Sequence, residues 1–62
     1  MTINISYSEK NKKQILTAFA MFKTSEQADL PKIYGEGSIA YCYEGANKGK
    51  AYVFNGNEWI EQ

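Results

Sequence analysis

Apolar and polar residues alternate from the start of the chain. Ile3, Ile5 and Tyr7 fall on one side of Met1 to Tyr7 and Thr2, Asn4 and Ser6 on the other, a period of two that predicts a short strand. Ser8 then suits a helix N-cap, and Glu9 follows in the first turn, where its charge meets the positive end of the helix dipole. The next stretch, through Phe22, is free of glycine and proline. Ile15, Phe19 and Phe22 recur at i, i+4 and i+7, flanked by Leu16 and Ala18, with Lys12, Lys13, Thr17 and Lys23 elsewhere. That spacing predicts a helix of three to four turns from about Glu9 to Phe22 whose apolar stripe packs in the core.

Asp29 to Pro31 breaks the pattern, because proline has no amide donor and disfavours a helical residue before it. Gly35 and Gly37 punctuate a loop. Three short strands follow, at about Ser38 to Tyr43, Lys50 to Phe54 and Glu58 to Glu61, rich in Ile, Val, Tyr, Phe and Trp. Asn55-Gly56 is a strong type I′ hairpin signal, which sets Phe54 opposite Asn57, Tyr52 opposite Trp59 and Lys50 opposite Glu61. The preceding "EGANKG" admits several loop lengths. With Tyr43 opposite Lys50, one face carries Ile39, Tyr41, Tyr43, Tyr52, Phe54 and Trp59, and the other Ala40, Cys42, Ala51, Val53 and Ile60. The expected fold is α+β, a three- to four-stranded antiparallel meander with one N-terminal helix packed on it. It forms a single small domain over 1–62, with strand plus helix in 1–28 and the meander in 29–62.

Sixty-two residues make at most one small domain, and a chain this short buries only about 60% of its unfolded surface, so added stabilisation is expected. Cys42 is the only cysteine and there is no histidine, which excludes an internal disulfide and argues against a metal site. Association with a partner is the route left. Seven lysines balance seven acidic residues and there is no arginine, a composition that does not point to nucleic acid. Lys10, Lys12 and Lys13 read as a solvated helix face. No segment has the roughly 18–20 apolar residues of a membrane span, and the start lacks the apolar core of a signal peptide. A cytoplasm, or a particle assembled there, is the expected location.

Catalytic chemistry finds no support. No Ser, Cys or Lys stands in a recognisable nucleophile–base pattern, Glu44 and Glu58 read as solvated hairpin residues, and Cys42 reads as a packing residue. "GANKGK" lacks the phosphate-loop spacing and a following helix. We expect no enzyme activity and no cofactor.

A sheet apolar on both faces needs two covers, and one helix supplies one. Either the N-terminal strand, the loop from Leu30 to Tyr34 and a curled sheet close the second face, or Tyr41, Tyr43, Tyr52, Phe54 and Trp59 form a protein interface. "DLP" (Asp29 to Pro31), "GSIAY" (Gly37 to Tyr41) and "GKAYVFNGNEWIEQ" (Gly49 to Gln62) resemble a short segment of tailed-bacteriophage virion proteins, of head-fibre, head-decoration and tail-fibre type. The resemblance spans roughly Ala28 to Gln62. It implies a non-enzymatic structural protein of the virion that docks on copies of itself or on a capsid or tail protein. A small phage-encoded inhibitor of a host protein is the alternative, with a carbohydrate-binding module behind it.

Overall fold

A computed structural model describes residues 1–10 and 13–62. The chain folds into one five-stranded mixed sheet in which spatial order follows chain order: β1 (Thr2–Lys10), β2 (Lys13–Lys23), β3 (Ile39–Glu44), β4 (Ala51–Phe54) and β5 (Trp59–Glu61). β2 and β3 are parallel, and the other neighbours are antiparallel. Among the described residues the helical content is a single 3₁₀ segment, Thr24–Asp29.

The expected α+β meander with an N-terminal helix is therefore overturned. Where a helix from Glu9 to Phe22 was expected, the described residues form the end of β1 and almost all of β2; 11–12 lie outside the described residues. "ILTAFAMF" satisfies two periods at once. Read with period two, Leu16, Ala18, Ala20 and Phe22 share one side and Thr17, Phe19 and Met21 the other. A run that is apolar on both sides suits an inner strand paired along both edges. β1 lies along one edge of β2, from Thr2 opposite Met21 to Lys10 opposite Lys13, and β3 lies along the other, with Phe19 opposite Ile39 and Phe22 opposite Cys42.

A parallel step needs a crossover of a dozen or more residues, and the chain between β2 and β3 provides it and covers one face of the sheet. Leu30, from this crossover, joins Ala20, Phe22, Ala40, Cys42 and Tyr52 in the core. The alanines keep the sheet low so that the crossover comes close, while Phe22 and Phe54 are fully buried. Phe22 meets Tyr52 at a centroid distance of 5.8 Å, and Phe54 meets Trp59 at 5.0 Å, both within the range of favourable tilted ring pairs. Trp59 Nε1 donates to the Pro31 carbonyl at 3.0 Å and so fastens β5 to the crossover. Thr24 Oγ1 donates to the Glu44 carbonyl and accepts from the Asn47 amide, each at 3.0 Å, which ties the 3₁₀ segment to the β3–β4 loop. Cys42 is buried, the packing role expected of it.

Both hairpin registers differ from expectation. In β3–β4, Tyr41 pairs with Ala51 and Ile39 with Val53, one residue away from the expected pairing. A one-residue slip exchanges faces, so Tyr52 and Phe54 lie opposite in direction to Tyr41. The loop causes this: Gly49 donates to the Cys42 carbonyl and Cys42 to the Lys50 carbonyl, while Lys48 closes an inner turn on Gly45. In β4–β5, Phe54 pairs with Trp59 rather than Asn57. Asn55 Oδ1 accepts from the amides of Asn57 and Glu58 at 2.8 and 2.7 Å, so a four-residue loop replaces the two-residue turn. This shift of two residues preserves the faces, and Lys50 still reaches Glu61 at 3.5 Å.

Candidate docking face

Strand alternation and the registers together specify the face turned away from the crossover. β2 contributes Phe19 and Met21, β3 contributes Ile39, Tyr41 and Tyr43, β4 contributes Ala51 and Val53, and β5 contributes Ile60. Phe19, Ile39, Val53 and Ile60 are successive partners across the four strands and form one row; Met21, Tyr41 and Ala51 form the next. Phe19 is 44% exposed, Ile39 40% and Ile60 43%, whereas on the inner side Ala20, Phe22, Ala40, Cys42 and Phe54 are buried and only the β1–β2 end, at Ile5 and Leu16, is as open. β1 flanks the rows with Thr2 and Asn4, opposite Met21 and Phe19. None of these positions carries a charge.

Two ion pairs lie toward the end of the sheet past the Met21–Tyr41–Ala51 row, one of them, Lys50–Glu61, on the inner side with Tyr52, and Glu58 stands at the other end just before β5. Lys23 on β2 reaches Glu44 on β3 at 3.6 Å, and Lys50, just before β4, reaches Glu61 on β5 at 3.5 Å. Away from the face, Glu26 accepts from the Met1 ammonium at 2.8 Å and from the Lys23 amide at 2.9 Å. The ammonium first, and the amide second, hold the Glu26 carboxyl below the ordinary carboxylate range.

The five expected interface residues do not come together. Tyr41 and Tyr43 lie on the outer face; Tyr52 and Phe54 are buried on the inner face, and Trp59 is half-buried there. Phe19 and Met21 were assigned to a helix, and Val53 and Ile60 to the opposite face, yet all four lie with Tyr41. The doubly apolar run around Phe19 fits a helix and an inner strand equally, so the sequence held no decisive signal for them.

On the inner side, an open cleft of about 520 Å³ lies between the 3₁₀ segment and the start of β5, with Trp59 and Leu30 as apolar walls and Gln27, Lys32 and Glu58 at its margin. Among the described residues no helix is long and apolar enough to cross a membrane. No protein-family model, curated protein or solved structure matches the chain.

Proposed function

We propose that this chain is a non-enzymatic structural protein that works by docking its outer sheet face on a protein partner, as a component of a phage particle. The observation that carries the docking reading is the outer face: four adjacent strands present large apolar side chains, partly open to water, with no charge among them. Contiguous exposed apolar surface of this kind marks contact sites, because its transfer out of water is the main driving force for association. The particle itself rests on the resemblance of Ala28 to Gln62 to virion segments.

Quantitative mass spectrometry of purified particles tests the location, and incorporation of the Phe19→Glu/Ile39→Lys variant tests the face. A fixed stoichiometry for the wild-type chain and loss of the variant, with its circular dichroism unchanged, is the expected result. Absence of the chain from particles would overturn the virion assignment; undiminished incorporation of the folded variant would overturn the docking face.

A further inference from the structure

We propose that the occupant of the outer face is a second copy of this chain, stacked face to face about a two-fold axis that runs along the strands between β3 and β4. This rests on the docking reading above and names its partner.

The shape of the face is the first argument. Its bulk is uneven: β2 and β3 carry Phe19, Met21, Ile39, Tyr41 and Tyr43, whereas β4 and β5 carry Ala51, Val53 and Ile60. A two-fold axis between β3 and β4 lays β2 over β5 of the second copy and β3 over its β4. The high half of each face then meets the low half of the other. Because Tyr41 and Ala51 are direct partners in one row, the tyrosine ring of each copy comes over the alanine of the other. Isologous contacts of this kind require a patch to be complementary to itself, and a step between two halves meets that requirement.

Charge gives the second argument. None of the positions in the Phe19–Ile60 and Met21–Ala51 rows carries a charge, so no ion has to be desolvated when two such faces meet. The formal net charge of zero removes long-range repulsion between copies.

Area gives the third. Side chains of this size, exposed to the degree found here, present on the order of 500 Å² per copy. Two copies then bury about 1,000 Å², the threshold for a biological contact and the range of weak, reversible pairs. Aligned sheets pack about 10 Å apart with inner faces interdigitated, which would give each sheet the second layer it lacks.

Sedimentation velocity of the full chain from micromolar to millimolar concentration tests the pairing, together with Ala51→Trp and Phe19→Glu and binding of a hydrophobic dye. The expected result is a monomer–dimer equilibrium with no larger species, weakened at least tenfold by either substitution while circular dichroism is unchanged. Ala51→Trp fills the low half without removing any apolar surface, so loss of the dimer in that variant reads shape. A dimer unaffected by both folded variants would overturn the proposal. So would a chain that stays monomeric to millimolar concentration: if it binds the dye and Phe19→Glu abolishes that binding, the face still awaits a different protein and the docking reading stands; if it binds no dye, both fall.

Discussion

The buried Ser38 hydroxyl accepts a hydrogen bond from the Ala18 amide at 3.0 Å and donates one to the Gly35 carbonyl at 2.8 Å. Ser38 is the residue before β3, and Ala18 precedes the first residue of β2 that pairs with β3. The hydroxyl therefore closes the parallel pairing at its open end, where a backbone donor would otherwise be stranded.

Ser38→Ala should cost about 1–3 kcal/mol, the penalty for leaving a buried donor without a partner. Urea unfolding measures it. Ser38→Thr, which keeps the hydroxyl but adds a methyl at a fully enclosed site, should also destabilise. A Ser38→Ala midpoint equal to wild type would mean that Ala18 finds another acceptor.

Two glycines separate strain from collision. Gly45 and Gly56 both have positive φ, near +100° and +98°, but a Cβ on Gly45 would lie 2.5 Å from Thr24 Oγ1, whereas one on Gly56 meets nothing. Gly56→Ala should cost roughly 1 kcal/mol from backbone strain alone. Gly45→Ala should cost distinctly more, because it adds displacement of the Thr24 hydroxyl that ties the 3₁₀ segment to the β3–β4 loop. Thermal midpoints in that order are expected; equal midpoints would show that the Thr24 link contributes nothing.

The strands at both ends of the chain were legible in the sequence, since the alternation over Met1 to Tyr7 falls within β1, and β2 was not. β3, β4 and β5 fall close to the expected strands because β-branched and aromatic residues are bounded there by glycine and asparagine. The helix at Glu9 to Phe22 failed because Leu16, Ala18, Ala20 and Met21 favour helices in isolation, and tertiary pairing overrode that preference. Nothing local distinguishes a doubly apolar helix from an inner strand. The make-up of the outer face was missed through one residue of register: the two glycines flanking Ala46 to Lys48 let the loop fold its own turn, and with that slip Tyr52 and Phe54 exchange sides with Ala51 and Val53. The principle that some apolar face stays uncovered was readable; which residues form it was not.

Acidification should reveal the Glu26 anchor. Its carboxyl is held below the ordinary range by the Met1 ammonium and the Lys23 amide. A depressed folded value means that the stabilisation is present above the ordinary carboxylate pKa and is lost as pH falls through the folded value. Glu26→Gln should therefore lower the thermal midpoint at neutral pH, and the gap from wild type should close on acidification below the ordinary range. A gap constant from neutral to strongly acid pH would show that the carboxylate charge is not what stabilises the N-terminal strand.

The link between Trp59 and Pro31 ties the first half of the crossover through a side chain, whereas its second half is held by backbone bonds from Gly35 to the Leu16 carbonyl at 2.7 Å and from Gly37 to the Phe54 carbonyl at 2.8 Å. The indole packs on Phe54 and donates Nε1–H to the Pro31 carbonyl at 3.0 Å, while Ile33, two residues further on, is 82% exposed. Trp59→Phe keeps an aromatic ring beside Phe54 but removes the donor, so it should cost about 0.5–1.5 kcal/mol. The loss should be local. Amide exchange should accelerate at 32–35 and around Leu30, whose own amide bonds the Gln27 carbonyl, while β3 and β4 keep their protection. Phe54→Leu, by contrast, alters a fully buried side chain in a close-packed core and should lower protection across the whole sheet. Identical exchange patterns in the two variants would show that Trp59 acts only as core, and that the crossover needs no tie from β5.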